Sequence, residues 1–173
     1  SNFVQGNYIG VDTTGTRGVA NSSGTNGIQI TNSSGNLIGG FSAGQRNVIS
    51  GNLRGVFLNG SGSIGNLLVG NNIGTNAAGT SAIGNTDGID LIGVSYNTVG
   101  GTTAGARNLI SGNSSGIYAN GESTFGNVVQ GNYIGTNSAG TSSIANSTGL
   151  SFQNTGSNTI GGTSTSAGNL ISG

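Results

Sequence analysis

The sequence predicts an all-β chain wound as a parallel β-helix, a solenoid of three sheets and about six coils. Three observations predict it. Asn-Tyr-Ile-Gly at 7–10 returns as Asn-Asn-Ile-Gly at 71–74 and Asn-Tyr-Ile-Gly at 132–135, so the chain repeats itself. β-branched residues stand between Gly and Asn punctuation, the signature of many short strands. The longest Gly-free stretch is 141–148, eight residues. A globular helix averages about 11 residues, and interior Gly weakens helix.

The elements follow in order. A first signal, Gly-apolar-x-apolar, opens at Gly27, Gly55, Gly88, Gly116 and Gly149. A second, Asn-x-(Val/Ile/Leu), opens at Asn2, Asn36, Asn66, Asn97, Asn127 and Asn158. A third, Asn-x-Ile, opens at Asn7, Asn47, Asn71, Asn108, Asn132 and Asn169. The spacing of the first signal alternates between 28 and 33 residues. Each signal reads as one strand of a coil and each spacer as a turn or loop. The true repeat is a short coil plus a long one, 61 residues, in three copies at 1–52, 53–113 and 114–173. An insertion of three residues near Asn21 to Asn26 stretches the first copy.

Like signals stack about 4.8 Å apart as parallel strands. Side chains alternate along a strand, so Val4, Ile38, Leu68, Val99, Val129 and Ile160 point inward on sheet two. Ile9, Ile49, Ile73, Ile110, Ile134 and Ile171 do so on sheet three. Ile28, Ile30, Val56, Leu58, Ile89, Leu91 and Ile117 line sheet one. The two Asn columns that open the second and third signals read as hydrogen-bonded ladders at the corners, where Asn also tolerates left-handed backbone. A rival parse takes Asn47, Asn66 and Asn85, spaced by 19, as one column of a narrower solenoid.

Two loop sets connect the strands. Short coils carry 41–46, 102–107 and 163–168 between sheets two and three. Long coils carry 10–26, 74–87 and 135–148 before the next sheet-one strand, each containing Gly-Thr. Like loops lie two coils apart, roughly 10 Å, so each is expected to pack partly on its own coil.

Composition narrows the function. Gly (37), Asn (25), Ser (24) and Thr (19) dominate, with no Pro, Cys, Met, Trp, His or Lys. Zero net charge without Lys argues against nucleic acid, which needs clustered cations. No apolar run approaches the roughly 18 residues of a spanning helix, so membrane insertion by helix is not expected. The absence of Cys excludes disulfides and thiolate metal sites. The amide- and hydroxyl-rich make-up suggests an extracellular or cell-surface protein.

The motifs Asn-x-Ile-Gly-Thr, Arg-Asn-(Val/Leu)-Ile-Ser-Gly-Asn and Gly-Ile-x-(Ile/Leu) resemble the right-handed parallel β-helix repeats of bacterial surface and secreted proteins, within the broad pectate-lyase-like group. The resemblance runs along the whole chain. It implies right-handed winding, which also agrees with the rule for parallel crossovers. It implies a piece of a longer array or assembly. It does not choose among lyases, hydrolases, adhesins and stalks, because one fold hosts many functions.

Catalytic groups are scarce. Any acid or base must be one of four carboxylates. Asp87 and Asp90 form the one close pair, and paired carboxylates serve glycoside hydrolysis. Yet Asp87 reads as a turn former and Asp90 as an outward, solvated charge. The acidic cluster with Ca²⁺ of the group's lyases has no counterpart, so neither metal nor cofactor is expected. Ser50, Ser111 and Ser172 have no base to activate them. Phe57, Asp90 and Tyr118 lie outward on sheet one and are glycan-contact candidates, either as an open stacking surface or as rings covered by loops. Tyr8, Val48, Leu109 and Tyr133 on sheet three, with Leu37, Leu67 and Val128 on sheet two, should also face out. They are lateral-interface candidates unless the long loops cover them. The expected function is a non-catalytic structural solenoid, such as a stalk, filament subunit or adhesin segment. It would associate with neighbouring solenoids or further coils. The second expectation is a polysaccharide-binding or -processing β-helix. Ice binding is disfavoured, because the outward columns mix Phe, Leu, Tyr and Thr rather than a flat hydroxyl array.

Overall fold

The computed structural model describes residues 1–21 and 24–173. Part of the insertion after Asn21, at positions 22 and 23, lies outside the described residues.

Three sheets of six, six and five strands stack along one axis, and the strand pairs within them are parallel. Sheet one contains Ile28–Thr31, Arg54–Asn59, Asp87–Ile92, Ser115–Asn120 and Thr148–Gln153. Sheet two starts at Phe3–Val4 and ends at Thr159–Ile160. Sheet three starts at Tyr8–Ile9 and ends at Leu170–Ile171. One 3₁₀ turn sits in each of two short-coil loops, at Ala43–Gln45 and Ala104–Ala106.

The register follows the alternating 28- and 33-residue coils. Val4, Ile38, Leu68, Val99, Val129 and Ile160 form one column. Ile9, Ile49, Ile73, Ile110, Ile134 and Ile171 form another. With the inward residues of sheet one they make a single continuous core. The rival parse fails. Asn66 stacks between Asn36 and Asn97, not between Asn47 and Asn85. The interval of 19 is a distance between neighbouring corners, so the three Asn belong to three different columns.

Both expected Asn ladders form. Asn66 donates from Nδ2 and from its backbone N–H to Asn97 Oδ1, both at 2.9 Å. Asn97 Nδ2 in turn donates to Asn127 Oδ1 at 3.0 Å and to the Ser63 carbonyl at 3.0 Å. The second ladder runs Asn7, Asn47, Asn71, Asn108, Asn132 and Asn169. A third ladder, Asn21, Asn52, Asn85, Asn113 and Asn146, occupies the remaining corner and was not expected. Four of its members stand three residues before the Gly that opens a sheet-one strand, at Asn52, Asn85, Asn113 and Asn146.

The left-handed reading of the ladder Asn is corrected. None of them has positive φ. At the corner before sheet two the positive φ falls one residue earlier, at Gly35, Gly65, Tyr96, Gly126 and Ser157. The Asn itself keeps a negative φ, and its amide bonds along the stacking axis.

The Gly that opens each sheet-one strand has a steric cause. A Cβ on Gly55, Gly88 or Gly116 would lie 2.6, 2.5 or 2.4 Å from the carbonyl oxygen of the matching Gly in the next coil. Real contacts do not reach that distance, so a side chain would force the coils apart.

The long loops reach one another as well as their own coils. Ala77 donates to the Gly15 carbonyl and Ser138 to the Gly79 carbonyl, each at 2.9 Å. Each loop thus leans across the short coil between them. Gly79 sits on Leu109, and Gly140 sits on Tyr133 and Leu170. The loops therefore cover much of the outer face of sheet three.

The ladder makes a testable prediction. Asn97→Ala strips partners from the Asn66 amide and the Ser63 carbonyl in the interior, at an expected cost of ~2–4 kcal/mol in urea unfolding. Asn158→Ala, half-exposed on the last coil, should cost under about 1 kcal/mol. Equal losses would show that the ladder does not carry the stability assigned to it.

Candidate functional site

The outer face of sheet one is built by a local irregularity. At the start of each strand the Gly and the next apolar residue both turn toward the corner and core. The residue before the Gly and the second after it therefore both face out. In register these outward positions form a grid. Arg54, Asp87, Ser115 and Thr148 make one row. Phe57, Asp90, Tyr118 and Ser151 make the other.

Asp90 corrects the sequence expectation. It is 2% exposed, not solvated. The rings of Phe57 and Tyr118 on adjacent strands flank it, and they exclude water from a carboxylate too short to escape. Arg54 Nε donates to Asp90 Oδ2. The same guanidinium lies 4.8 Å from the Phe57 ring centroid, so this ring is capped by a cation rather than open to a sugar. Tyr118 is half-exposed, and its hydroxyl donates to Gln153 Oε1 at 3.3 Å. Asp90 Oδ1 and Ser115 Oγ are buried and have no hydrogen-bond partner. On this side an open groove of about 300 Å³ is lined by Asp87, Asp90, Ser115, Tyr118, Thr148 and Gln153, among others.

Burial pushes the Asp90 carboxyl up to about 6, the charge of Asp87 adds to the rise, and Arg54 opposes it. Asp87 is also raised by burial, against the pull of Arg54. Asp12, on a long loop, is held below the usual range chiefly by the Thr16 N–H.

The Arg54–Asp90 pair had a sequence signal. The 61-residue repeat sets Asp87 beside Asn26 and Thr148, and Asp90 beside Gln29 and Ser151, none of which is charged. The partners lie one coil away, where the 33-residue step puts Arg54 opposite Asp87.

The lateral-interface candidates divide. Val48 and Leu109 are buried, Leu109 against Gly79 of a long loop, so the loop-covered alternative holds for them and they drop out as interface candidates. Tyr133 is half-buried and carries the Arg107 guanidinium 4.0 Å from its centroid. Tyr8 stays exposed, with Gly15 of its own long loop against the ring. On sheet two, Leu37, Leu67 and Val128 are half-buried in one column with the exposed Phe3, and Thr98 stands between Leu67 and Val128.

Sequence reasoning missed a second aromatic feature. Tyr96 and Phe125 meet edge-to-face with centroids 5.3 Å apart at the corner between sheets one and two. Tyr96 holds φ +56° and is 59% exposed. A bulky residue there is uncommon, and strain of this kind collects at working surfaces. Among the described residues no three acidic side chains cluster as a metal site would require. No family model, no curated protein and no solved structure matches this chain.

The raised Asp90 carboxyl predicts a pH dependence. The folded state holds this proton more tightly than the unfolded state. The stability it contributes is complete below about pH 4 and is lost as pH rises through about 6. Asp87 acts in the same direction. The effect is on the order of 1–3 kcal/mol, or ~2–12 °C of melting temperature. Thermal melts at pH 4 and pH 7 should show the fall in the natural chain and a flatter response in Asp90→Asn. An equal fall in both would place the titration elsewhere.

Proposed function

We propose that this chain is a non-catalytic structural solenoid, a stalk, filament or adhesin segment of an extracellular or cell-surface protein. The observation that carries the reading is the self-complementarity of the coil. Every interior ladder Asn both accepts from one neighbouring coil and donates to the next, and the core columns continue without a break from one 61-residue repeat to the next. Such a unit extends in one dimension, with stability growing by nearest-neighbour contacts. The motif resemblance to β-helix repeats of bacterial surface and secreted proteins supports the same reading. Its partners are further coils or neighbouring solenoids. The partly exposed column Phe3, Leu37, Leu67, Thr98 and Val128 on sheet two, apolar but for Thr98, is the lateral face.

Electron microscopy and sedimentation test this. Rods or filaments longer than the roughly 29 Å of six coils at the parallel-strand spacing are expected. A persistent monomer at high concentration would sink the assembly part of the reading.

A second reading, a polysaccharide-binding β-helix, is favoured by the exposed Tyr96–Phe125 pair. Aromatic faces beside amides stack on sugar rings. Glycan-array binding that disappears in Tyr96→Gly, which suits the backbone at that position, would select it. Binding that survives Tyr96→Gly but fails in Tyr118→Ala would move the sugar surface to sheet one.

A further inference from the structure

The grid on sheet one has a donor on one side only. Arg54 comes from the strand before Asp90 and takes Oδ2. The strand after it, Ser115–Asn120, brings no donor to Asp90. It brings another unsatisfied oxygen, Ser115 Oγ, in register with Asp87, and a ring, Tyr118, in register with Asp90. Asp87 and Asp90 carry two negative charges against the single positive charge of Arg54.

The geometry points to a binding site for a primary ammonium group in this groove, held by Asp90 Oδ1, the Asp87 carboxylate and Ser115 Oγ, with the Tyr118 ring beside it. An ammonium has three donors and no acceptor. The groove offers three acceptors to which no protein group donates, and one uncompensated negative charge. Tyr118 supplies the aromatic partner that a cation prefers. The arrangement repeats, on the far side of Asp90, what Arg54 and Phe57 do on the near side, where a guanidinium meets the same carboxylate and stands over a ring. Asp90 Oδ1 is closed to bulk water, so the ammonium enters as the half-exposed Tyr118 side chain swings aside. Its hydroxyl is held by a long 3.3 Å bond to Gln153.

An ammonium of this kind comes from an amino sugar or from a lysine side chain. Titration calorimetry at pH 7 with glucosamine, N-acetylglucosamine and Nα-acetyl-lysine methylamide distinguishes them. Glucosamine or the lysine derivative should bind with a dissociation constant on the order of 1 mM, and the tighter of the two names the source. N-Acetylglucosamine, the same sugar without the charge, should not bind. Asp90→Asn should weaken amine binding at least tenfold and Tyr118→Leu several-fold. Ser115→Ala removes a hydroxyl that bonds to nothing in the fold. It should leave the melting temperature in place while weakening the amine several-fold, which keeps the test valid if Asp90→Asn does not fold. The site is overturned if N-acetylglucosamine binds as well as glucosamine, or if neither amine binds at tens of millimolar. It is equally overturned if the folded variants bind like the natural chain. None of these results bears on rod formation, so the structural reading stands or falls separately.

Discussion

The corner amide is the interaction on which the rest of this structure depends. A solenoid must turn its backbone three times per coil, and at each turn the strand ladder is interrupted. Buried backbone groups there need partners. Asn supplies them from a side chain whose donor and acceptor match the coil spacing. Nδ2 reaches the amide oxygen of the next coil while also meeting a carbonyl of the coil before. Asp would place like charges one strand apart, and Ala would leave the turn unsatisfied. Three such columns hold the coils in one register and let apolar residues as different as Val99 and Leu68 share a column.

The alternation of coil length then decides which faces are open. Long loops are too far apart to stack as neighbours, so they lean over the short coil and join by single bonds such as Ala77 to Gly15. In doing so they cover sheet three, whose outward Val48 and Leu109 become core. Sheet one has no such cover. Its outward grid is where charge, rings and unsatisfied oxygens collect, and it is the face on which a ligand can act. Sheet two keeps a partly exposed apolar column. The division of labour among the three faces follows from loop length more than from strand composition.

Much of the fold was legible because it repeats. Each strand, inward column and ladder member on sheets two and three could be read from signals that recur in step. The third ladder also stood in the sequence, since Asn52, Asn85, Asn113 and Asn146 each lie three residues before a sheet-one Gly, but that signal was read from its Gly and apolar residues alone. The site was poorly legible for a different reason. Arg54, Asp87 and Asp90 occur once each at their positions, so repetition says nothing about them. Their meaning lies in which coil sits next to which, and in whether the flanking rings of Phe57 and Tyr118 leave room for water.

The sequence by itself determined the solenoid, its three sheets, its alternating coils and the inward columns, since these follow from period, alternation and the chemistry of Gly and Asn. Contacts between coils set the rest: Asp90 is buried and paired, Val48 and Leu109 are buried, and Tyr96 and Phe125 stand exposed. Those outcomes depend on contacts between residues 25 to 65 positions apart, at distances where a shift of one or two ångströms separates a solvated group from a buried one.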